Sequence, residues 1–184
     1  MSYPTLVQVL VIEDDIKTKS VYERIFKGQS ERFSLAPPCY AFCFTDASAY
    51  LSQDRIFHLV ILDLRLPEAF GLPPESGVDL GMRALGEAIG RAGYPIPALL
   101  VVSGHVEKTD QGQLRATLDA NFHYGRVVVK GDLEQLTVEI GRGIEEVNRY
   151  VSVGLHLRDG GERRYPTITP AEEDVLRRFV LQQQ

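Results

Sequence analysis

Glu13 and Asp14 lie side by side, while Asp63, Ser103 and Lys130 stand singly much further along the chain. Each position nevertheless follows directly on a run of apolar residues: "LVQVLVI", "FHLVIL", "IPALLVV" and "RVVV". Side chains of these types do chemistry when they meet. Carboxylates brought close together repel and raise one another's pKa unless a cation sits among them. A donor set made only of oxygens suits a hard ion, Mg²⁺ most simply, with several waters retained. A lysine adds a mobile point charge matched to a phosphoryl oxygen, and a serine adds a hydroxyl donor. Taken alone, Glu13, Asp14 and Asp15 read equally well as a solvated helix start, and Lys130 as a surface lysine. Their shared placement at the ends of apolar runs is what argues for a site.

The elements around these residues must bring them together. "LVQVLVI" reads as a strand, and "IKTKSVYERIFKG" as a helix stopped by Gly28. A second strand is expected from Tyr40 to Phe44, with Thr45 or Asp46 capping a short helix. "FHLVILD" is a third strand, "LRLPEAFGLPPESG" a loop, and "VDLGMRALGEAIGRAG" a helix despite its glycines. "IPALLVVSG", "VEKTDQGQLRATLDANF", "RVVVKG" and "LEQLTVEIGRGIEEVNRYV" complete an alternation of strands and helices. Strands apolar on both faces and separated by helices imply a parallel sheet covered on both sides, with right-handed crossovers. Ligands of such sheets bind beyond the carboxyl ends of the strands, where all five residues fall.

Composition sets outer bounds. At 184 residues the chain holds one good-sized core and an extension, divided here as 1–147 and 148–184. Its net charge of −5 gives no general basic footprint for nucleic acid. The N-terminus "MSYPTLVQVLVIEDD" has neither the basic region of a signal peptide nor an apolar stretch long enough for a membrane span, so no membrane partner and a cytoplasmic location are expected. Cys39 and Cys43 in "CYAFC" lack a second Cys or His pair and read as buried, reduced strand cysteines. His58, His105, His123 and His156 show no ligand spacing. Dinucleotide, nucleoside triphosphate and hydrolase sites lack their glycine-rich or nucleophile-elbow motifs. A phosphatase with a D-x-D nucleophile would need an acid where Arg65 stands.

Together, "VLVIEDD", "LVILDLRLP", "LLVVSGH" and "VVVKGD" resemble the receiver domain of two-component response regulators over about residues 5 to 147. The resemblance implies a flavodoxin-like (CheY-like) α/β fold, five parallel strands in the order 2-1-3-4-5 with helices on both faces. It implies that Asp63 is the phospho-acceptor, that Asp14 ligates Mg²⁺ directly and Glu13 through water, and that Asp63 and the backbone carbonyl of Arg65 complete the metal set. Ser103 would bind a phosphoryl oxygen and Lys130 would pair with the phosphate. A sensor histidine kinase or phosphotransfer protein would be the donor. A homodimer would form through the face built by the fourth helix, fifth strand and fifth helix, or through the C-terminal extension. The domain would be a signalling device, not an enzyme with turnover.

The sequence departs from that family beside its own acceptor. Gly77 is the match to a glycine that usually lies nearer the acceptor, and "EAFGLPPES" fills the difference, so the loop 66–76 is enlarged. Val127 stands where receivers commonly carry an aromatic switch residue, and Gly131 where a proline usually follows the lysine. These two changes favour a rival reading: an interaction module, independent of phosphorylation, that kept the pocket without the switch.

In the extension, "GLHLRDGGERRYPTI" alternates around Asp159-Gly160-Gly161, a hairpin signal, and "ITPAEEDVLRRFV" opens a helix capped by Thr169. That helix looks like the start of a LuxR-type helix-turn-helix, which needs several more helices. Either the sequence is part of a longer regulator, or hairpin and helix form an appendage that dimerises or docks a partner. DNA binding would then require an effector not complete here.

Overall fold

Runs of Val, Ile and Leu form five strands in the computed structural model, which describes residues 6–53, 55–73, 79–91, 96–104 and 108–158. The strands are β1 (Val9–Ile12), β2 (Cys39–Ala41), β3 (Leu59–Asp63), β4 (Ala98–Ser103) and β5 (Tyr124–Val129). The helices α1 (Lys19–Gln29), α2 (Phe44–Leu51), α3 (Asp79–Ile89), α4 (Lys108–Asn121) and α5 (Leu133–Arg158) alternate with them. All neighbouring strands are parallel and the order is β2-β1-β3-β4-β5, the fold that the resemblance implies.

Side chains alternate across the sheet, so each central strand feeds two cores. Leu10, Ile12, Val60, Leu62, Leu99 and Val101 pack with α2, α3 and α4, while Val9, Val11, Leu59, Ile61, Leu100 and Val102 pack with α1 and α5. Burying each such side chain contributes about 1.5–3 kcal/mol. Register then brings the polar ends level. Ile12 pairs with Leu62, so Glu13 follows beside Asp63, and Ser103 pairs with Val129, the residue before Lys130.

Three expectations need correction. Phe44 belongs to a helix rather than to the second strand, and the cap of α2 is Cys43, whose Sγ accepts the Asp46 amide at 3.5 Å. Helix α1 runs one residue past Gly28. Helix α5 extends to Arg158, so the boundary at 147/148 falls inside it, and the residues expected to form the first arm of the hairpin, Gly154–Arg158, are helical. Five alternating residues fit a strand, but Val147, Val151 and Leu155 continue a four-residue spacing, and an established helix propagates at one hydrogen bond per residue. The turn at Asp159 and the final helix lie outside the described residues.

Two glycines are dictated by close approach. A Cβ at Gly81 would lie 2.1 Å from the Leu64 carbonyl oxygen, so α3 rests its backbone directly on the residue after Asp63. A Cβ at Gly125 would lie 2.6 Å from that of Leu118, where β5 meets α4. His58, 1% exposed, accepts the Gln8 amide on Nδ1 at 2.9 Å, and burial pushes its pKa down to about 4.

Gly81→Ala is expected to lower unfolding free energy in urea by about 1–3 kcal/mol through overpacking against Leu64; wild-type stability would refute the close approach. His58 predicts a pH dependence. Its folded pKa lies below the ordinary 6.5, so the stabilisation of the neutral ring is complete above about pH 6.5 and is lost as pH falls through about 4. The loss amounts to about 3 kcal/mol. Urea titrations across that window should show the slope in wild type and a flatter one in His58→Asn.

Candidate functional site

The carboxyl ends of β1, β3 and β5 deliver a charged cluster. Glu13 and Asp63 are each 3% exposed, and Asp14 is half-buried beside them. One carboxylate oxygen from each of the three lies within 4.8 Å of the others. Lys130 Nζ donates to Glu13 Oε1 at 2.8 Å and to Asp63 Oδ2, with its side chain 34% exposed. The other acceptor oxygen, Asp63 Oδ1, takes the Arg65 amide at 2.9 Å. Glu13 Oε1 also takes the Asp15 amide at 3.2 Å, while Asp15 itself caps the turn Ile16–Thr18 through the Lys17 amide.

Electrostatics follow from that crowding. Burial, reinforced by the charge of Asp63, pushes the Glu13 carboxyl up to about 7 against the opposing bonds from Lys130 and Asp15. Burial works to lower Lys130, but its hydrogen bonds to Asp63 and Glu13 and their charges outweigh it and hold the amine above its ordinary range. Tyr22 is buried on α1; burial first, then the charges of Glu13 and Asp63, raises its hydroxyl well above the usual value. One lysine thus bonds to two of the three carboxylates, Glu13 and Asp63. The donor set is all oxygen, as a hard divalent ion requires, and offers neither a thiolate nor an imidazole to a softer metal.

Of the residues singled out in the sequence, Glu13, Asp14, Asp63 and Lys130 meet. Ser103 is 6% exposed at the neighbouring end of β4, where its carbonyl accepts the Lys130 amide at 3.1 Å. His105 lies outside the described residues. Val127 is half-buried against the core on the α4 side. Gly131 has φ +101°, a conformation closed to proline, which explains the glycine after the lysine.

Sequence reasoning missed the contacts of the loop after β3. The Phe44 amide donates to Pro67 O at 2.9 Å, and the Thr45 amide and hydroxyl both donate to Glu68 O, at 3.1 and 2.7 Å. Its tip carries Phe70, 62% exposed, and Leu72, 54% exposed. Proline and glycine content signalled a loop; nothing in it signalled these partners.

No protein-family model matches the chain and no curated protein does. Solved structures do. The response regulator domain of CheB from Thermotoga maritima is 15% identical with a TM-score of 0.56, covering 79% of this chain and 98% of that one. A CheY-like response regulator receiver domain from Methylobacillus flagellatus is 18% identical with a TM-score of 0.51, covering 76% and 99%. The receiver domain of a sensor histidine kinase from Pseudomonas aeruginosa, solved with a magnesium ion coordinated in its active site cleft, is 14% identical with a TM-score of 0.50, covering 77% and 99%. The chain therefore has the fold of receiver domains. Among the described residues, no helix is long and apolar enough to cross a membrane.

Lys130→Met should destabilise the fold by about 1–3 kcal/mol, below the cost of about 3–5 kcal/mol for stripping one partner from fully buried charges, because the lysine is about one-third exposed. Urea unfolding measures this directly. Unchanged stability would mean that Lys130 does not hold the two acids.

Proposed function

We propose that the chain is a receiver of two-component signalling, in which Asp63 accepts a phosphoryl group from the phosphohistidine of a sensor histidine kinase or phosphotransfer protein. The observation that carries this reading is the convergence of Lys130 on Asp63 and Glu13, with Asp14 completing a triad of carboxylates at the strand ends. The fold of the matching structures supports it.

The clustered carboxylates suit Mg²⁺: Asp14 and Asp63 would hold it, with Glu13 acting through water and the backbone carbonyl of Arg65 joining them as the resemblance implies. The ion, when bound, offsets the negative charge that gathers on the phosphoryl oxygens and their aspartyl acceptor. The rest falls to the chain. The Arg65 amide fixes the rotation of the Asp63 carboxylate by holding Oδ1. Oδ2 attacks phosphorus in line; the O–P bond forms as the N–P bond breaks, and its electron pair stays on the donor's imidazole. Lys130 moves with the developing charge from Oδ2 to a phosphoryl oxygen, and Ser103 donates its hydroxyl to another. Asp63 is modified rather than regenerated at once, so the domain signals and does not turn over substrate.

Association through α4, β5 and α5 would then carry the output. A groove of about 400 Å³ on that face is lined by Arg115, Asp119, Arg126 and Glu139, among others. The rival reading, an interaction module independent of phosphorylation, is favoured by Val127, which offers neither ring nor hydroxyl for a switch.

Incubation with acetyl phosphate and Mg²⁺ followed by intact mass separates the two. Wild type should gain one phosphoryl group, Asp63→Ala none, and Asp14→Asn far less at equal Mg²⁺. An unlabelled wild type, or equal labelling of Asp63→Ala, would sink the receiver reading.

A further inference from the structure

We propose that modification of Asp63 is relayed through the loop after β3 to the first turn of α2, on the side of the sheet away from β5. The proposal rests on the reading of Asp63 as a phosphoryl acceptor and names how that site would be read out. Its first support is the tie between the Arg65 amide and Asp63 Oδ1, at 2.9 Å, which fastens the start of the loop to the acceptor carboxylate.

Two residues further on, the same loop caps a helix. The amides of Phe44 and Thr45 belong to the opening turn of α2, where backbone donors have no intrahelical partner. Pro67 O accepts the first at 2.9 Å, and Glu68 O accepts both the amide and the hydroxyl of Thr45. Beyond them, Phe70 stands edge-on to Phe42 with ring centres 6.1 Å apart, and Phe42 stacks on Tyr40 at 6.2 Å. A continuous set of contacts therefore runs from the acceptor to the edge strand β2.

The segment between is stiff. Leu64 and Leu66 are 2% and 1% exposed, and the backbone of α3 at Gly81 rests on Leu64. Close-packed interiors transmit a displacement instead of absorbing it. Phosphoryl transfer makes Oδ2 the bridging oxygen of an acyl phosphate, with the donor's N–P bond broken and its electron pair left on the imidazole. Oδ1 is thereby converted from a carboxylate oxygen into a neutral carbonyl oxygen. Charge-assisted hydrogen bonds are roughly twice as strong as neutral ones, so the Arg65 tie weakens at the moment of modification. On the other side of the pocket, Val127 carries no polar group to follow the Ser103 hydroxyl.

Residue-resolved amide hydrogen exchange, with and without acetyl phosphate and Mg²⁺, tests the relay. In labelled wild type the amides of Arg65, Phe44 and Thr45 should exchange roughly threefold faster or more, as weaker bonds open more often. Asp63→Asn, in which a neutral amide oxygen replaces Oδ1 without any phosphoryl group, should shift the same amides in the same direction. A mass gain on wild type with unchanged exchange at Phe44 and Thr45 overturns the relay and leaves the acceptor reading standing. An absent mass gain overturns the acceptor reading instead; unchanged exchange at those amides in Asp63→Asn then overturns the relay as well.

Discussion

Glu13 and Asp63 are buried almost completely at the carboxyl ends of β1 and β3, and Lys130 must reach both to make that burial tolerable. An ionised carboxylate removed from water without a partner costs several kcal/mol, more than most single contacts return. The requirement reaches far into the fold. Lys130 meets Asp63 only if β3, β4 and β5 end at the same level, and it meets Glu13 only if β1 does too. Register, set by alternating core side chains, is therefore the condition on which the cluster depends. Replacing buried ions with apolar residues commonly preserves or improves stability, so the cluster is better explained by chemistry than by folding.

The pocket has two sides with different mechanical character. Toward β5, the lysine is followed by Gly131 at positive φ, and Val127 packs half-buried against the core. Toward β2, Asp63 is joined by backbone hydrogen bonds and buried leucines to a loop that doubles as the cap of α2. Of the residues that bond across, Phe44 and Pro67 are buried, while Arg65, Thr45 and Glu68 are exposed. The described part of the enlarged loop is thus tied to α2 through Pro67 and Glu68, and it carries the exposed Phe70 and Leu72.

How much of this was legible in the sequence follows from where the information lies. Strands β1, β3 and β4 announced themselves as apolar runs because they are buried on both faces, and the site residues because polar types at strand ends have few structural uses. Four of them, Glu13, Asp14, Asp63 and Lys130, do meet. The extended α5 was obscured because "GLHLR" satisfies a two-residue period as well as a helical one. Thiols accept amides weakly, which hides Cys43 as a cap beside the better acceptors Thr45 and Asp46; yet the Thr45 hydroxyl donates to Glu68 and the Asp46 amide is the one Cys43 caps. The Arg65 amide had no signature at all, since every residue but proline carries one.

Charge balance gives the cluster its direction. Glu13 and Asp63 share the one positive charge of Lys130, which bonds to both. An acyl phosphate would carry close to two negative charges where the Asp63 carboxylate carries one, so the same space would gain about one more. The three donors of Lys130 could reach Glu13, Asp63 and a phosphoryl oxygen, but they carry a single positive charge among them. On the proposed reading, a second cation beside Glu13 and Asp14 would offset the charge that one lysine leaves uncompensated, and Asp14 is the most exposed of the three carboxylates.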